Sequence, residues 1–146
     1  MLAQTNQDIL DSQMSEHEHQ ARLIQEVRAH QEQYPLLKLL FAIPNGGLRH
    51  PSVAKALAAE GVLAGVPDLW LPVAAIERDI PWPIASRLMN ALAIEMKIVG
   101  NTPTKAQVSF HRLLRENGVR VEVCYSWHAA WNVICDYLDL PENARA

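Results

Sequence analysis

The chain has 146 residues, nearly half of them apolar and a fifth charged, with a formal net charge of −3. That length suits one compact domain with a real core, and the acidic balance does not announce a nucleic-acid binder. No apolar run approaches the roughly 18 residues of a membrane span, and the N-terminus lacks the basic and apolar regions of a secretory signal.

Residues 1–14 are polar and without periodicity, so a flexible lead-in is expected there, with a single domain over 15–146. Ser15 and Glu18 have the spacing of a capping box, opening a helix that Pro35 ends. The apolar run Leu36 to Ile43, closed by Pro-Asn-Gly-Gly, predicts a strand and a turn. Pro51 to Glu60 predicts a short helix with Gly61 at its C-terminal end.

Asp68 to Val73 and Leu92 to Val99 read as the second and third strands. The connection between them, 74–91 with its Pro-Trp-Pro, reads as a long loop or a partner surface. Thr102-Pro103 suits an N-cap and first helical residue, for a helix running to Asn117-Gly118. Arg120 to Tyr125 is a fourth strand, and Ser126 caps a last helix. This order predicts an α/β domain: a mixed four-stranded sheet flanked by helices. Cys124 and Cys135 lack a metal-type spacing and are expected as buried free thiols.

The chemistry concentrates at Gly-Val-Pro-Asp (65–68) and Ile-Glu-Met-Lys (94–97). Alternation along a strand puts Glu95 and Lys97 on one face, and Ile94, Met96 and Ile98 on the other. A carboxylate and an ammonium among apolar neighbours are costly unless each has a partner. A hard divalent cation, held by carboxylates beside a lysine that manages a water, supplies one.

Ile-Pro-Asn-Gly-Gly (43–47), Glu-Gly-Val-Leu-Ala-Gly-Val-Pro-Asp-Leu (60–69), Ile-Glu-Met-Lys and Thr-Pro-Thr-Lys-Ala-Gln (102–107) occur here in order. Together they resemble the VRR-NUC branch of the PD-(D/E)xK nucleases, from about Glu16 to the end of the chain. The resemblance implies a restriction-endonuclease-like core and hydrolysis of DNA phosphodiesters with Mg²⁺ or Mn²⁺. It implies Asp68 and Glu95 as metal ligands, the backbone carbonyl of Met96 as a further oxygen, and Lys97 orienting the attacking water. It also places Gln107 at the site, together with a glutamate of the first helix. Glu16 matches that glutamate best, with Glu18 and Glu26 as alternatives. The 74–91 connection departs from the family pattern, and Ala91 stands where a glycine is usual.

Each feature has a plainer explanation. Asp68 alone is an ordinary turn aspartate, Glu95 and Lys97 an edge-strand pair, Gln107 a surface residue, and Glu16 an acid favoured at a helix start. Asn45, with Arg49 after it, is either a tight turn or a phosphate-contacting loop. Lys105, Arg112 and Arg115 form either a basic stripe leading from Lys97 or a solvated helix face. His17 and His19 point about 200° apart on a helix and cannot clamp one zinc ion.

The expectation is a metal-dependent nuclease acting on DNA, with no membrane partner, as a homodimer suited to branched or four-way-junction substrates. A cytoplasmic setting in a bacterium or phage-infected cell fits the size and the lack of a targeting segment. The alternative is a non-catalytic DNA-binding or assembly module that keeps the nuclease fold.

Overall fold

The computed structural model describes residues 10–44, 50–78 and 86–145. Helix α1 (Glu16–His30) begins at the capping box foreseen for it: the Ser15 hydroxyl accepts the Glu18 N–H, and the Glu18 carboxylate accepts that of Ser15. Leu23 and Val27, one turn apart, carry α1 into the core. Residues 1–9 of the expected lead-in lie outside the described residues, but its end is anchored. The buried Asp11 carboxylate accepts the Trp127 indole N–H at 3.2 Å and sits 2.7 Å from His128 Nε2.

The strand expected over Leu36 to Ile43 is mostly something else. Pro35–Leu39 is a 3₁₀ turn, and only Phe41–Ala42 (β1) is extended. Proline at the first position presets a helical φ. Leu37 is the residue of this turn that reaches the core, while Leu36 and Leu39 stay exposed. An apolar run does not itself distinguish the two conformations.

Helix α2 (Pro51–Ala59) follows, and Gly61 leaves it at a φ of +98°. Strand β2 is short, Leu69–Leu71, so Asp68 stands just before it rather than within it. The 74–91 connection is not a loop throughout. It contains an antiparallel hairpin of β3 (Ala75–Arg78) and β4 (Ser86–Met89), pairing Ile76 with Leu88 and Glu77 with Arg87. The Glu77 carboxylate accepts from Arg87 at 3.2 Å, a cross-strand pair of opposite charge. Pro-Trp-Pro itself lies outside the described residues.

Strand β5 (Ala91–Met96) pairs antiparallel with β2 and parallel with β6 (Val119–Cys124), giving the sheet order β1-β2-β5-β6. The parallel pair needs a crossover, and α3 (Lys105–Glu116) provides it. A last helix, α4 (Trp127–Tyr137), capped by Ser126 as predicted, packs with α1. The mixed four-stranded sheet with flanking helices is the architecture expected. Cys124 and Cys135 are buried and unpaired, also as expected.

Every residue of β5 is buried, and the two faces differ. Leu92, Ile94 and Met96 enter the main core with Leu23, Trp131 and Ile134. Ala91 and Ala93 enter a smaller cluster with Val119, Val121, Trp70 and Leu114 of α3. Small side chains on that face let α3 approach closely, and the same face carries Glu95 and Lys97. Trp131 is fully buried, and its indole N–H donates to the Ala144 carbonyl at 2.7 Å. Replacing it with alanine should cost about 3–5 kcal/mol in urea unfolding; a loss under about 1 kcal/mol contradicts this account of the core.

Candidate active site

The β2–β5 register pairs Leu69 with Ile94. Extending it by one residue sets Asp68 opposite Glu95. Asp68 is held there by backbone bonds on both sides: Ile43 N–H donates to its carbonyl at 2.8 Å, and Met96 N–H to its Oδ2 at 2.8 Å. A carboxylate at the end of β2 is thereby tied to the residue between Glu95 and Lys97.

Glu95 is fully buried. Its Oε1 accepts from the Lys97 ammonium and from the Gln107 amide, each at 2.5 Å. Lys97 Nζ also donates to the Met96 carbonyl at 3.0 Å and lies 3.8 Å from Glu16 Oε2. Asn101 donates to the other oxygen of Glu16 at 3.1 Å. Asp68, Glu95, Lys97, Gln107 and Glu16 therefore meet in one place, with the Met96 carbonyl beside them.

Gln107 reaches Glu95 because of how α3 starts. The N-cap is Thr104, not Thr102, and Lys105 rather than Pro103 is the first helical residue. Thr104 and Gln107 form a reciprocal capping box: the Thr104 hydroxyl accepts the Gln107 N–H at 3.2 Å, and Gln107 Oε1 accepts the Thr104 N–H at 2.8 Å. That double closure satisfies two end groups, which Thr102-Pro103 does not offer. With its oxygen thus committed, the Gln107 side chain points its amide N–H at Glu95.

The charges are unevenly matched: three carboxylates face one ammonium. Burial pushes the Asp68 carboxyl above the usual range, against the opposing pull of the Met96 N–H and Lys97, and the Glu16 charge raises it further. Burial also raises the Glu95 carboxyl, opposed by Lys97 and reinforced by Asp68 and Glu16. Burial disfavours the Lys97 ammonium, yet the bond to Glu95 and the charges of Glu95, Glu16 and Asp68 hold its pKa above that of ordinary lysine. The site lacks positive charge.

Glu95 Oε2 is buried and has no hydrogen-bond partner. Hard carboxylate oxygens in excess over positive charge suit a hard divalent cation. No group of three His, Cys, Asp or Glu able to hold a metal is already assembled among the described residues. Magnesium does not need one, since it keeps several waters and takes one or two carboxylates plus substrate phosphate. Zinc, which favours nitrogen and sulfur donors, is less suited than magnesium or manganese to these carboxylate oxygens. His19 is turned inward, its Nδ1 accepting the Trp127 N–H at 3.3 Å, while His17 is exposed.

Arg112 and Arg115 are exposed on α3, and each has a partner. Arg112 lies 3.8 Å from Glu116, and Arg115 donates to the Val121 carbonyl at 2.8 Å. Lys105 is exposed on the first turn, two residues before Gln107. Asn45 and Arg49 lie outside the described residues. Sequence reasoning missed His111, buried one turn beyond Gln107 on α3 with its Nε2 3.6 Å from Glu95 Oε2. The i, i+4 spacing from Gln107 was the available signal.

Among the described residues, no helix is long and apolar enough to cross a membrane. No curated protein matches the chain. Among solved structures it is similar to a VRR_NUC domain protein at 24% identity and a TM-score of 0.64, covering 88% of this chain and 91% of that one. That likeness shows a shared fold. The model of the VRR-NUC domain matches residues 4–128, a span that holds every residue gathered around Glu95, and the chain belongs to this family of nucleases.

Proposed function

We propose that the protein is a Mg²⁺- or Mn²⁺-dependent nuclease hydrolysing DNA phosphodiester bonds. The observation that carries this reading is the gathering of Asp68, tied to the Met96 N–H, and Glu95, bonded to Lys97, at one point, with both carboxyl groups raised in pKa. Asp68 and Glu95 are the ligands, with Glu16 and the Met96 carbonyl as further oxygens. When bound, the cation lowers the pKa of a water and offsets charge on the scissile phosphate.

The chain's own groups do the rest. Lys97, an ammonium bonded to Glu95 and the Met96 carbonyl, orients the attacking water and keeps its positive charge near the developing negative charge. Gln107 keeps the Glu95 carboxyl from rotating away. Asn101 steadies Glu16 at the rim. Asn45, Arg49 and Lys105 are assigned to the DNA backbone, which positive and amide side chains hold without reading sequence. A two-fold dimer would present two such sites to a branched or four-way-junction substrate.

The test is cleavage of linear, flapped and four-way-junction DNA with Mg²⁺ or Mn²⁺, by wild type and by Lys97→Ala. Cleavage is expected with wild type and lost with the variant. A wild-type protein that binds DNA yet cuts nothing under either metal is a binding module, and the nuclease reading fails. Sedimentation at micromolar concentration tests the dimer: a mass equal to one chain refutes it.

A further inference from the structure

His111 has no role in the chemistry above, yet it is placed like a part of it. It is 2% exposed, on the face of α3 that looks onto β5. Its Nε2 and Glu95 Oε2 are both buried without a hydrogen-bond partner, and they lie 3.6 Å apart. Leaving two such groups unsatisfied is costly, and a shift of about half an ångström brings them to hydrogen-bond distance. Glu95 Oε1 is already held from the same helix by Gln107, four residues earlier. One turn of α3 therefore offers a donor to each oxygen of one carboxyl group.

We propose that His111 is a positioning residue whose Nε2–H donates to Glu95 Oε2 and sets the rotation of that carboxyl group for cation binding. With Gln107 on one oxygen and His111 on the other, the carboxyl plane is defined by α3 rather than by the cation. Lys97 then stays aimed at the cation-facing side instead of following a rotating carboxylate. Partners that orient a metal's ligands typically contribute about 10- to 100-fold in metal affinity or activity. The role rests on Glu95 being a cation ligand, as proposed above; the His111–Glu95 bond itself does not.

Two measurements test this. Long-range ¹H–¹⁵N correlation of the histidine rings in the cation-free wild type should show His111 protonated at Nε2. A ring protonated at Nδ1 alone overturns the proposal. Calorimetry with Mn²⁺ and no DNA should show His111→Leu, which keeps the packing and loses the donor, weakened about 10- to 100-fold. His111→Gln, which keeps an N–H near the same place, should recover most of that affinity. If His111→Leu binds Mn²⁺ as wild type does, the residue is a packing element whatever its melting temperature, and the proposal fails. If either variant does not fold, the wild-type ring spectrum decides. A wild type that binds no Mn²⁺ overturns the nuclease reading instead, and is recognised because the ring measurement needs no metal.

Discussion

Asp68→Asn should abolish cleavage while leaving the cation-free protein at least as stable as the wild type. With Asp68 a cation ligand, as proposed, the loss of activity should exceed the roughly 10- to 100-fold that removal of an outer partner costs. The stability half follows from the raised pKa of the buried carboxyl. A carboxyl whose folded-state pKa lies above its unfolded value adds stability at low pH, and that contribution is lost as pH rises through the folded pKa. The ionised form of Asp68 therefore works against the fold. Asparagine removes the charge and still offers an oxygen to the Met96 N–H.

The same sign governs the cation. On the proposed function Mg²⁺ or Mn²⁺ binds the ionised carboxylates, so its stabilising effect on the wild type should grow as pH rises through the raised pKa values of Asp68 and Glu95. In Asp68→Asn most of that gain should vanish. Thermal unfolding with and without cation, from about pH 4, the ordinary carboxylate range, upward to about pH 8, checks both statements. A variant that is markedly less stable than wild type without cation contradicts the electrostatic account, because Asp68 would then be a net structural asset.

Gly65→Ala should lower both stability and activity, although residue 65 touches no reacting atom. Gly65 has a φ of +87°, and a Cβ there would lie 2.6 Å from the Ala106 carbonyl oxygen and 3.0 Å from the Gln107 nitrogen. The left-handed conformation alone costs an ordinary residue about 1–2 kcal/mol. The clash adds about 1–3 kcal/mol, because backbone rather than a flexible side chain must move. The part that moves is the first turn of α3, which carries Gln107. Gly61→Ala is the control, with φ of +98° and nothing within 4 Å of its Cβ. It should show the conformational cost alone and keep full activity. Equal losses from the two substitutions in urea unfolding would mean that the Gly65–α3 approach is not tight.

Glu95 and Lys97 could be placed together from the chain alone, since side chains two apart on a strand must share a face. The capping box of α1 was equally readable, because Ser15 and Glu18 contact each other within one turn. The start of α3 was not. Thr102-Pro103 and Thr104 with Gln107 are both acceptable openings, and the reciprocal bonds of the second decide between them. The β3–β4 hairpin escaped because its strands are four residues each and flank a proline-rich segment. Short strands are stabilised by their partners more than by their own sequence.

Local rules, then, determined which residue types are available and which way they face along each element. Period, capping and turn chemistry act within a few residues and leave a mark in the order of letters. Tertiary structure alone decided that α3 lies close enough to β5 for Gln107 and His111 to reach Glu95, across Ala91, Ala93 and the bare Gly65. It also decided that three carboxylates share one ammonium. Those outcomes depend on the volumes of side chains far apart in sequence, and volume acts only once the elements are packed.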